Sequence, residues 1–148
     1  MESIIIKLIP KDQILTIIPL LKKLNTKTPE NILNNRVLEM VEQNYECIGL
    51  YENNKLIGIC GLWYSTRHYI GKTAEVDHVI INNTYRNKGL GELFFKWIYK
   101  FLKEKGCDAT ELNTFTENRK SHKFYYNEGY EIYGFHMLKI LRDDATFF

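Results

Sequence analysis

Cysteine is scarce: Cys47, Cys60 and Cys107 are all 3 of the cysteines in 148 residues. An odd, widely spaced set argues against a disulfide framework, and no metal-ligand spacing is present. Buried, reduced thiols and no metal are therefore expected. Proline is as rare, at 3, and without a Pro/Gly-rich or low-complexity tract nothing divides the chain, so residues 1–148 read as one domain. A dominant charge is also missing: 20 basic and 18 acidic residues leave a net +2, too little to argue for nucleic acid. The richest apolar cluster, Ile14 to Leu21, is interrupted by Thr16 and Pro19 and is too short to span a bilayer. The opening Met1-Glu2-Ser3-Ile4-Ile5-Ile6 is not a basic leader with an apolar core and cleavage site. No membrane partner and a cytoplasmic location are the expectations.

What is present is 45% hydrophobic and 14% aromatic content, enough for a packed core. Ser3 to Ile9 reads as a strand, and Lys11 to Leu24 as a helix that Pro19 kinks or splits. Thr28-Pro29-Glu30 predicts a helix start, with Thr28 as N-cap and the helix running to about Gln43. Glu46–Tyr51 and Leu56–Tyr64 read as hairpin strands around Glu52-Asn53-Asn54-Lys55, and Ala74–Asn82 as the next strand. Leu90, Leu93, Phe94, Trp97, Ile98, Phe101 and Leu102 keep helical spacing up to Lys105, and Gly106 closes that helix. Asp108–Thr114 reads as a strand, Asn118–Glu128 as a helix and Tyr130–Leu141 as a final strand. The order β-α-α-β-β-β-α-β-α-β predicts a central mixed, mostly antiparallel sheet flanked by helices, an α/β (α+β) fold.

Arg86-Asn87-Lys88-Gly89-Leu90-Gly91 lies between a strand and a helix. Glycines there leave backbone N–H groups open, the helix adds unpaired amides and its dipole, and Arg86 and Lys88 add charge. Such a turn suits phosphate. It lacks the Lys-[Ser/Thr] ending of a P-loop and an acidic ribose ligand at Rossmann spacing, which disfavours a nucleotide-binding domain.

A second motif follows: Asn118-x-x-Ser121-x-x-Phe124-Tyr125-x-x-x-Gly129-Tyr130. With the glycine turn and the element order, the chain resembles the GNAT superfamily of N-acetyltransferases over nearly its whole length. Ser121 and Tyr130 stand where the family often has Ala and Phe. The resemblance implies acetyl-CoA as acetyl donor and an amine, on a small molecule or a protein, as acceptor. It implies that the amides of Asn87 to Gly91, Leu90 among them, hold the pyrophosphate between Arg86 and Lys88. Main-chain groups of Val79, Ile80 and Ile81 would pair with the pantetheine arm, and an amide of that strand would steady the oxyanion. Tyr125 matches the family's general acid and lies by the cofactor, and Asn118 caps its helix and contacts the cofactor.

Glu75 lies where some members carry a catalytic glutamate, and Asp77 and Glu111 are alternative bases or substrate contacts. Strict alternation puts Glu75, Asp77, Val79 and Ile81 on one strand face and Val76, His78 and Ile80 on the other. In the family the acceptor channel is walled by the first two helices and their connection, here Asn25 to Thr28. The loop Ser65 to Lys72 and the segment near the final strand would complete it, with Trp63, Tyr64 and Tyr69 as an aromatic wall. The alternative from another class is a non-catalytic acyl-CoA-binding sensor. Oligomeric state stays open, a homodimer included.

Overall fold

The structure, a computed structural model, describes residues 3–85 and 89–147. Contacts divide the chain into two compact units, Met1–Leu112 and Asn113–Phe148.

The first unit is built on a sheet in the order β1 (Ile4–Leu8), β2 (Tyr45–Glu52), β3 (Lys55–Arg67), β4 (Gly71–Ile81) and β5 (Ala109–Leu112). Neighbours pair antiparallel except β4 and β5, which run parallel around the helical crossover. Asn53 and Asn54 turn β2 into β3 with φ of 49° and 67°, the left-handed pair that a tight hairpin demands. The expected loop Ser65 to Lys72 is mostly strand. β3 and β4 pair out to Arg67 and Gly71, and the connection shrinks to residues 68–70.

The expected first helix is split, with Lys11–Ile17 as a 3-10 run and Ile18–Leu24 as α1. Pro19 sits in the first turn of α1, where its missing N–H costs nothing. α2 spans Glu30–Met40 and is preceded by Pro29, so it ends earlier than expected and Thr28 is not its cap. Thr28 is instead tied to Asn25, accepting from Nδ2 at 3.0 Å and donating its N–H to Oδ1 at 3.2 Å. That local turn uses the hydroxyl that would have capped the helix.

One sheet face packs Tyr45, Cys47, Ile59 and Ile80 against Ile14, Ile17, Ile18, Leu21, Leu33 and Val37 of the first helical layer. The other face buries Ile48, Leu50, Cys60, Leu62, Ala74 and Val76. α3 (Leu90–Glu104) buries Phe94, Phe95, Ile98 and Leu102. Lys105, just beyond α3, pairs with Glu46 and lies 4.9 Å from the Tyr64 ring on that second face. Each fully buried side chain of this size contributes about 1.5–3 kcal/mol. Cys47 and Cys60 are buried free thiols and Cys107 is half-buried. Burial pushes the Cys47 thiol up to about 12, which keeps it protonated and inert.

The second unit contains α4 (Arg119–Asn127). The expected final strand, Tyr130 to Leu141, does not form among the described residues. Its Tyr133, Phe135 and Met137 are 92%, 96% and 89% exposed. An alternating apolar pattern is a property of the segment, but a strand needs a partner ladder.

Candidate active site

Glu75 and Asp77 project from β4, with Glu75 opposite Trp63 on β3 and Glu111 on β5, and Asp77 opposite Gly61. Glu75 is half-buried. Glu111 is held by Arg67, whose Nε lies 3.4 Å from Oε2, so part of its charge is neutralised. Trp63 donates its indole N–H to Asp77 Oδ2 at 3.0 Å, which joins Trp63 to the acidic face. Tyr64 points to the opposite face, because neighbours on a strand alternate. There its hydroxyl donates to Glu46 at 2.8 Å and its ring lies under Lys105. Trp63 and Tyr64 therefore do not share a wall, and Tyr69 stands 70% exposed on the hairpin tip.

After Asp77 the register of β4 shifts, with Gly61 paired to Asp77 but Ile59 paired to Ile80. Such a bulge sets consecutive residues on one face and reverses the alternation beyond it. His78 is thus turned onto the side of Asp77, contrary to strict alternation, and Ile80 follows onto the packed face with Ile59. Val79 and Ile81 lose the side expected of them for the same reason. His78 Nδ1 lies 3.3 Å from Asp77 Oδ2, and its Nε2 lies 2.6 Å from the Tyr45 hydroxyl. The Tyr45 and Trp63 rings are 4.8 Å apart. Tyr45 was not picked out from the sequence, and His78 was put on the opposite face; the adjacent Asp77-His78 pair was the one signal present.

Burial works to raise the Asp77 pKa, but hydrogen bonds from His78 and Trp63 outweigh it and lower it from 3.8 to about 2. The sign follows directly. A depressed carboxyl adds stability above its ordinary range, lost as pH falls through about 2. At neutral pH Asp77 is a fixed anion and a weak proton acceptor.

On the same unit, α3 begins after Gly89, which has φ +72° and caps the helix without a side-chain bond. The first-turn amides of Leu90 and Gly91 belong to that helix N-terminus, the kind of site that takes a phosphate. Arg86, Asn87 and Lys88, expected to flank it, lie outside the described residues. A Cβ on Gly89 meets no protein atom within 4 Å, so within the protein itself the cost of a substitution there is backbone strain. Gly89→Val is expected to weaken CoA binding about tenfold and Gly89→Asn far less, since Asn tolerates φ > 0. Titration calorimetry with CoA checks this; equal losses would point to steric exclusion by any side chain.

Within the second unit, the Asn118 side chain accepts from Ser121 N–H at 3.4 Å and caps α4. Tyr125 is half-buried, in edge contact with the rings of Phe124 at 5.6 Å and Tyr130 at 5.7 Å. His122 meets the Phe115 carbonyl at 2.8 Å, a local partner that fits a structural histidine. Among the described residues no group of three or more His, Cys, Asp or Glu forms a metal cluster, and no helix is long and apolar enough to cross a membrane.

The fold and these positions can be set beside known proteins. Residues 18–130 match the acetyltransferase (GNAT) family. A curated aminoalkylphosphonate N-acetyltransferase of Salmonella typhimurium is 26% identical over 90 residues, which are 60% of this chain and 58% of that protein. Among solved structures, an aminoglycoside N-acetyltransferase, AAC(6')-Iy in complex with CoA, superposes with a TM-score of 0.82 at 15% identity, covering 96% of this chain and 97% of that one. A ribosomal-protein-alanine N-acetyltransferase from Brucella melitensis gives 0.79 at 16% identity, with 93% and 99% covered. At these identities the structures speak to the fold, and they share its mixed, mostly antiparallel sheet. The match spans most of the chain and both of its motifs, and the chain belongs to the acetyltransferase (GNAT) family, whose members use acetyl-CoA.

Proposed function

We propose that this chain moves the acetyl group of acetyl-CoA to a primary amine by direct attack. Glu75 takes a proton from the ammonium group, and the freed amine attacks the thioester carbonyl. The C–S bond breaks as the tetrahedral intermediate collapses, Tyr125 gives its proton to the departing thiolate, and the new amide sheds its second nitrogen proton to solvent. Main-chain groups of Val79, Ile80 and Ile81 receive the donor's arm, and the turn from Arg86 to Gly91 holds its pyrophosphate, with Asn118 as a further polar contact. The family match crosses both compact units, which supports reading the chain as one acetyl-CoA-binding domain.

The observation that carries the amine reading is the acidic face: Glu75 beside Glu111 across the β4–β5 ladder, with Asp77 two residues along. A row of carboxylates attracts a cationic amine and favours its approach. The relatives are named for an aminoalkylphosphonate, an aminoglycoside and a protein alanine; what these acceptors share is an amine nitrogen. The test is thiol release from acetyl-CoA with an aminoalkylphosphonate, an aminoglycoside, a polyamine and an alanine-terminated peptide. Release with at least one is expected. Tight CoA binding with no release from any would replace this reading with the sensor.

We also read the chain as a homodimer. Ile132, Tyr133, Phe135, Met137 and Leu141 are 75–96% exposed, and monomers seldom leave more than a few hundred Å² of contiguous apolar surface open. Aromatic side chains bury roughly 150–250 Å² each, so this segment brings much of the roughly 800 Å² per partner that a stable interface uses. Light scattering across a dilution series is expected to give twice the chain mass. A monomer at every concentration would reject the dimer.

A further inference from the structure

His78 is held in a conformation it does not favour. Its φ is +35°, a positive value uncommon outside glycine even though His, like Asn and Asp, adopts it more often than other residues, and strained backbone of this kind persists only where the surroundings over-determine it. Here they do. Asp77 Oδ1 accepts the His78 main-chain N–H at 2.9 Å. Asp77 Oδ2 lies by the imidazole Nδ1 and also accepts the Trp63 N–H. Across the ladder, a Cβ at position 61 would lie 2.3 Å from His78 Nε2, so the imidazole occupies space that only Gly61 leaves.

The Asp77 end of this chain of bonds has a fixed polarity. An ionised carboxylate only accepts, so Nδ1 carries a proton toward Asp77, while Nε2 and the Tyr45 hydroxyl share the second bond. Each group finds its complement. The imidazole is 6% exposed and Tyr45 3%, so neither is placed to meet a substrate. Whatever they do, they do through the main chain.

That main chain is the bulged part of β4. β5 pairs with β4 only from Thr73 to Val76, so beyond Val76 the β4 edge toward β5 has no ladder partner among the described residues. With β3 holding the other side through Ile80 and Ile81, the bulge aims the peptide groups that face this edge.

We infer that Tyr45, His78 and Asp77 form a latch that fixes the β4 bulge and sets the direction in which the peptide groups of Val79 to Ile81 meet the acyl thioester. His78 is then a positioning residue. The inference rests on the reading of Val79 to Ile81 as the donor's main-chain partners.

The experiment uses the full chain, with Tyr45→Phe, His78→Asn and the double variant. Tyr45→Phe removes one oxygen and keeps the ring. Asn tolerates the left-handed backbone but does not span from Asp77 to Tyr45. The readout is the affinity for acetyl-CoA divided by that for CoA, by calorimetry, which needs no acceptor and isolates contacts to the acetyl carbonyl. Melting temperature is recorded alongside. Both single variants are expected to lower the ratio about tenfold while CoA affinity stays within about twofold, and the double variant to fall no further, since one chain is broken once. A lower melting temperature with an unchanged ratio overturns the inference and leaves a merely structural cluster. Parallel loss of both affinities, or a wild-type ratio near one, overturns it too while sparing the cofactor reading. Wild-type protein that binds neither ligand overturns both.

Discussion

Tyr125→Phe is expected to lower kcat about 100-fold, leave CoA affinity within about twofold, and barely change thermal stability. The packing of α4 explains why these effects separate. The Tyr125 ring meets Phe124 and Tyr130 edge to face, at 73° in both pairs, and phenylalanine repeats both contacts. The chain reversal after the helix is a main-chain affair: Gly129 N–H reaches Tyr126 O and Tyr130 N–H reaches Tyr125 O, each at 3.0 Å. Removing the hydroxyl keeps both ring contacts and takes away a proton donor. Thiol release under saturating acetyl-CoA, with parallel calorimetry, checks it. An unchanged kcat would end the acid role. A loss confined to affinity would make Tyr125 a cofactor contact.

Local signals in the sequence were reliable where one segment decides its own structure. The heptad-like spacing from Leu90 to Leu102 became α3, the Asn53-Asn54 turn became a tight hairpin, and Asn118 caps α4. Where a second segment decides, the reading failed. Thr28 looked like a cap until Asn25 came within bonding distance. Tyr130 to Leu141 alternates like a strand, yet no ladder forms among the described residues.

The site shows the same division. The shared face of Glu75 and Asp77 was legible because alternation holds as far as Asp77. His78, Val79 and Ile81 were assigned the wrong sides because one extra residue in a ladder, invisible without its partner strand, inverts everything after it. Tyr45 was missed because its partner is 33 positions away. The acidic groups on β4 and β5 stand in different surroundings. Asp77 is bound to His78 and Trp63 and stays ionised. Glu111 is bound to Arg67. Glu75 sits between them in register.

Glu75→Gln is accordingly expected to lower kcat/KM about 100-fold near pH 6.5, and by progressively less as pH rises toward the pKa of the acceptor. The sign comes from the substrate: below its own pKa an amine arrives as ammonium, and each unit of pH reduces the free base tenfold. On the proposed mechanism, wild-type enzyme deprotonates the bound ammonium through Glu75. The variant must wait for amine that is already neutral, so its rate climbs more steeply with pH and the two profiles converge at alkaline pH. Glutamine keeps the shape and the neighbours of Glu75 on the β3–β4–β5 ladder, so the comparison isolates charge and basicity. Initial rates from pH 6 to about 9.5, with one acceptor of known pKa, separate the cases. A pH-independent loss seen mainly in KM would mean that Glu75 only attracts the cation. Asp77→Asn is expected to act differently, because a carboxyl held at about 2 has little affinity for a proton at neutral pH. It should lower the rate by a factor that does not vary with pH, through Trp63 and His78, which lose their anionic partner. Were Asp77→Asn to give the converging profiles instead, the base would be Asp77, and hydrogen bonding would have to weaken on substrate binding for its pKa to rise.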